Sequence, residues 1–161
     1  MKSLFDLCRP RDSVFDERKR DDVLDLTDLA GNRIVASEFF EENFMTEGMK
    51  LLIETAFKRF QRKSQTGLIK LTQAMGGGKT HSMIALGLLA RKPGLAEEVM
   101  GKGILDNTYG SLKVVAFTGR ESDARYGIWG AIAEQLGKKE LFKDYYSPLS
   151  APGQTAWINL L

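Results

Sequence analysis

The sequence predicts an α/β domain: a parallel sheet flanked by helices, incomplete downstream and preceded by a helical arm. Three observations carry this expectation. Residues 68–73 (LIKLTQ) have strand-like length and composition, the glycine-rich stretch QAMGGGKTH continues from Gln73 without a break, and residues 81–90 (HSMIALGLLA) are apolar nearly all round. In the order strand, glycine turn, buried helix, the chain can curl its N–H groups inward and aim the positive end of a helix at a bound anion.

The totals set the frame. A chain of 161 residues makes one domain or one piece of a larger one. With 43% hydrophobic and 27% charged residues it can bury an ordinary core. A formal charge of +2 lends no support to a polyanion-binding chain, although contact with nucleic acid through a local basic face stays open. Cys8 is the single cysteine, so no internal disulfide can form, as suits a reducing compartment. It is either an inert thiol or a reactive one, and reactivity needs an activating environment. The opening MKSLFDLCRPRD lacks the apolar centre of a signal peptide, and no run approaches membrane-spanning length. A cytoplasmic protein with no membrane attachment is expected.

Residues 1–63 are expected as an arm ending in an amphipathic helix, and residues 64–161 as a partial nucleotide-binding core. The charge-dense run RDSVFDERKRDDVLDLTDL suits a solvated face or surface arm. Within it, residues 23–29 fit either a short edge strand or a helical turn, and periodicity does not choose. From Thr46 the pattern sharpens. Met49, Leu52, Ile53, Ala56, Phe57 and Phe60 recur at helical spacing, with Thr46 as N-cap and Glu47 in the first turn. A polar turn, residues 63–67, leads into the first strand.

The helix after the glycines is expected to pack on the sheet and to stop at residues 91–94, where basic residues precede proline and glycine. A second strand is expected at residues 112–117 (LKVVAF), ending in Thr118-Gly119-Arg120. Trp129, Ile132, Ala133 and Leu136 share a helical face with Gly137 as its stop, and residues 155–161 resemble the opening of another helix.

The chemistry centres on the loop. Gly76, Gly77 and Gly78 supply a permissive backbone, Lys79 would reach the terminal phosphates, and the Thr80 hydroxyl would ligate magnesium. Gln73 stands where the pattern G-x-x-x-x-G-K-[ST] has its first glycine, at the point where the loop leaves the strand. Helicase-type loops tolerate a non-glycine there. The expected ligands are therefore ATP and Mg2+, with Lys79 and Thr80 also as the catalytic groups. The alternative is a flexible glycine hinge. His81, in the first helical turn, either packs and caps or touches a phosphate or a partner.

Hydrolysis needs a carboxylate to hold magnesium and a group to orient water. The strand expected at 112–117 carries no acid at its tip, and only Glu121 and Asp123 follow in a loop. Arg120 either faces a nucleotide or neighbouring subunit or caps a surface turn, since ligands in open sheets lie at the carboxyl ends of strands.

The stretches MKSLFDLCRPRDSVFD, FFEENFMTEGMK, LTQAMGGGKTHSMIALGLLA and IWGAIAEQLG resemble the start of large prokaryotic P-loop ATPases, the family called domain of unknown function 499, which looks related to the AAA+ class. The resemblance implies an amino-terminal portion of an ATPase core whose acidic strand lies further on. It also implies a setting beside DNA methylases and helicases in defence islands, and it carries over onto Gly76, Gly77, Gly78, Lys79 and Thr80. Homo-oligomers, and methylase or helicase partners, belong to the same implication. Three functions follow: the ATP-binding portion of a motor or switch that acts in a DNA-associated complex, a non-catalytic nucleotide-binding interaction module, or a small P-loop kinase. The kinase would need a lid that no arginine-rich segment after the loop supplies.

Overall fold

Capping and apolar spacing decide where the helices begin. The computed structural model describes residues 3, 7–10, 12–16, 24–72, 74–101, 109, 112–119, 127–142, 145 and 151–161. Among these, a 3-10 turn at Asp12–Phe15 precedes helices α1 (Leu26–Ala30), α2 (Ala36–Glu42), α3 (Glu47–Phe60), α4 (Lys79–Arg91) and α5 (Pro93–Met100). Helix α6 (Gly127–Gln135), a 3-10 turn at Lys139–Leu141 and helix α7 (Gln154–Leu160) complete the order.

Of the ambiguous run at 23–29, residues 26–29 form the start of α1, because Asp25 and Asp28 cap it reciprocally. The Asp25 carboxylate accepts from Thr27 N at 3.0 Å, and Asp28 accepts from Asp25 N at 2.9 Å. Two orphan amides are thereby satisfied, the benefit of a capping box. Asp28 also takes the Arg33 guanidinium, Nε at 2.9 Å, which fixes the chain as it turns toward α2.

Helix α3 forms as its spacing predicts. Thr46 Oγ1 accepts from Met49 N at 3.2 Å, and Met49, Leu52, Ile53, Ala56 and Phe57 are buried along one stripe. That stripe meets α4, which also touches α1, α2 and α5 and is the hub of the fold. Ile84, Ala85, Leu88 and Leu89 of α4 join Leu29, Phe39, Ile53, Phe57, Ala96 and Met100 in one core. Gly87 permits the closest approach: a Cβ placed there would stand 2.5 Å from Leu29 Cδ2.

The parallel-sheet α/β architecture is not what forms. The described residues are helical or irregular and contain no strand, so α4 is buried against helices and not against a sheet. A strand persists only when a neighbour completes its hydrogen-bond ladder. Residues 68–72 have none among the described residues, and Leu68 stays 85% exposed. Residues 112–117 are satisfied another way. Gln135 of α6 brackets Ala116, its Oε1 accepting from Ala116 N at 2.9 Å and its Nε2 donating to Ala116 O at 2.6 Å. Arg91 Nη2 donates to Val114 O at 3.3 Å. Side chains thus do for this segment what a sheet neighbour would have done.

Two helix boundaries have local causes. Helix α4 stops at Arg91, at the boundary expected over 91–94, and Pro93 then opens α5 at the first helical position, where its missing N–H costs nothing. Gly137 does stop α6, at φ 73°, with Lys138 N closing onto Ala133 O at 2.8 Å. A second, smaller apolar cluster of Ala133, Phe142 and Leu160 gathers α6 and α7, with Trp129 edge-on to Trp157 at 5.8 Å.

Candidate functional site

The glycine loop leads from residue 74 into the first turn of α4. Gly76 and Gly78 hold φ of 78° and 72°, left-handed values that side chains with a Cβ rarely adopt. Gly78 is the N-cap and contributes no side-chain cap to the start of α4. The Gly78 carbonyl accepts from Ser82, from N and from Oγ, each at 2.9 Å. Lys79 Nζ donates to Ala74 O at 2.8 Å, and Gly77 N donates to the same carbonyl at 3.1 Å. The ammonium is therefore folded over its own loop. Thr80 is exposed at the mouth.

This loop forms one wall of an open cavity of about 1070 Å³. Gly76, Gly77, Gly78, Lys79, Thr80 and His81 line it on that side. The facing wall comes from the arm: Leu24, Arg33, Ile34 and Val35, then Glu38, Phe39, Glu42 and Asn43 of α2 and its end. The volume lies just above the roughly 300–1,000 Å³ usual for small-molecule sites, and the lining mixes apolar with charged and polar side chains. Arg33 and Lys79 bring positive charge, Glu38 and Glu42 negative.

His81 joins the two walls. Its Nε2 lies 2.5 Å from Asn43 Oδ1, and its ring sits 4.7 Å from that of Phe39, tilted by 32°. Asn43 is itself oriented by donating Nδ2 to Phe39 O at 2.6 Å. Partial burial lowers the imidazole pKa from its ordinary value, so the ring is neutral at pH 7. Of the alternatives for His81, packing across the cavity is the one the structure shows.

The predicted loop residues Gly76, Gly77, Gly78, Lys79 and Thr80 come together in one place. Gln73, Arg120, Glu121 and Asp123 lie outside the described residues. Thr118 is half-buried and does not line the cavity. The acidic residues that do line it, Glu38 and Glu42, come from upstream, where no strand-end search would have looked. Their i, i+4 spacing in the arm, residues 38–42 (EFFEE), was the available signal, since it puts both on one face of α2. Cys8 is exposed. Among the described residues no three His, Cys, Asp or Glu form a metal-holding group. No helix there is long and apolar enough to cross a membrane.

Fold and site together define a helical domain with a glycine loop and a lysine at the start of its central helix, opening on a two-walled cavity. The chain belongs to the DUF499 N-terminal domain family, whose model matches residues 5–110, a span that takes in the arm, the loop, α4 and α5. No curated protein matches the chain, and no solved structure does.

Proposed function

We propose that the chain binds a nucleoside triphosphate, ATP in the first instance, with its phosphates in the loop Gly76–Thr80. One observation carries this reading: two left-handed glycines bring the backbone round to the uncapped start of α4 with Lys79 at hand, all facing an open cavity. Lys79 would exchange the Ala74 carbonyl for a phosphate oxygen. Magnesium would be shared between the Thr80 hydroxyl and the phosphates themselves, as this ion commonly is. The family resemblance extends the proposal to an ATPase whose bound nucleotide drives or gates a DNA-associated assembly. Binding is what the 161-residue chain is proposed to do by itself, with hydrolysis inefficient.

Thermal unfolding with and without Mg-ATP tests this. A ligand at about a hundred times its dissociation constant stabilises the folded state by roughly 2.7 kcal/mol. The wild-type melting temperature should rise and that of Lys79→Ala should not. Equal shifts in both proteins would place the ligand elsewhere, and no shift in either would refute binding.

A further inference from the structure

The structure assigns His81 and Asn43 a positioning role: they form a clasp that fixes the arm against the phosphate loop, so that residues 33–43 seat the nucleoside half of the ligand while the loop seats the phosphates. This rests on the proposed nucleotide site and adds to it which part of the chain reads which part of the ligand.

Four observations support the clasp. The hydrogen bond spans 38 positions in sequence and links the end of α2 directly to the start of α4. Asn43 is held by its own donation to Phe39 O, which turns Oδ1 toward His81 and makes Nε2 the donor. The Phe39 ring lies against the imidazole and removes a second degree of freedom. His81 directly follows Thr80, so the clasp stands at the edge of the phosphate loop and holds the arm there.

Elsewhere the arm is fastened independently, by Leu29 against Gly87 and by Arg91 Nη1 donating to Leu29 O. Those contacts near the middle and end of α4 hold the arm in place; the clasp sets the gap at the cavity itself. A polar pair is a costly way to hold two helices together, because each partner must be desolvated. It is an effective way to fix a single register, since the bond forms in one arrangement only. Ile34, Val35 and Phe39 give the arm wall an apolar surface suited to a base, and the loop wall offers amides and an ammonium suited to phosphate.

Magnesium tripolyphosphate separates the two halves, having the phosphates and no nucleoside. Titrations of Mg-ATP and magnesium tripolyphosphate would be made on wild type, Asn43→Ala, His81→Ala and the double variant, each with a melting curve. The clasp variants should bind ATP about tenfold more weakly, the scale of one lost buried hydrogen bond, while tripolyphosphate affinity is unchanged. The double variant should be no weaker than the weaker single one, since both remove the same bond. His81→Gln, which keeps an N–H donor, should stay nearer wild type and serves where His81→Ala does not fold. Equal losses for both ligands would overturn the division of labour, and unchanged ATP affinity in folded Asn43→Ala would overturn the clasp. Wild type that binds neither ligand would instead sink the phosphate-loop reading beneath it.

Discussion

Single side chains around α4 have roles that their types alone do not specify. Lys79 Nζ donates to Ala74 O, and a charged phosphate oxygen is a stronger acceptor than that neutral carbonyl. His81 is the one histidine in the chain, which makes its titration separable. Burial lowers its folded pKa beneath the ordinary 6.5, so between the two values the unfolded chain takes up the proton more readily. This contribution to stability is complete above about pH 6.5 and is lost as pH falls through that range. Urea midpoints measured at about pH 8 and about pH 5 should therefore differ in wild type, and the difference should shrink in His81→Gln. An identical difference in the variant would assign it to the carboxylates.

At the scale of elements, α4 is the piece everything else packs on. Gly87→Val would push its branched side chain into Leu29, whose Cγ would stand only 3.3 Å from the new Cβ, so a rotamer change alone does not clear the space. The variant should lose about 1–3 kcal/mol, the usual penalty for overpacking, by denaturant unfolding. Unchanged stability would mean α1 is not seated there. Elements with their own local signals were legible in sequence: α3 from its stripe and Thr46, the loop and α4 from the glycines and the apolar run, the end of α6 from Gly137. The strands expected at 68–73 and 112–117 do not form among the described residues, because a strand's existence depends on a neighbour that local pattern cannot supply. Helix α1 hid its start in an Asp25-x-x-Asp28 cap within a charge run, and Pro93 signals a helix start as readily as a stop. The loop wall of the site was readable for the same local reason. The arm wall was not, since only the folded chain brings Asn43 to His81.

Across the whole molecule, the main core and the smaller cluster meet through Gln135, whose carboxamide takes both backbone groups of Ala116. Gln135→Ala would leave that amide and carbonyl without this partner in a part-buried setting. A loss of about 1–2 kcal/mol is expected, together with a lower denaturant slope if the smaller cluster then melts separately. A single transition with unchanged slope and midpoint would show that the clusters do not depend on this link. The central claim concerns the cavity between arm and loop, and calorimetric titration of Mg-ATP into wild type and Lys79→Ala tests it most directly. Saturable one-site binding by wild type, lost in a Lys79→Ala protein that melts at the same temperature, is the predicted result. Binding that survives the substitution, or folded wild type that takes up no ATP, would contradict it.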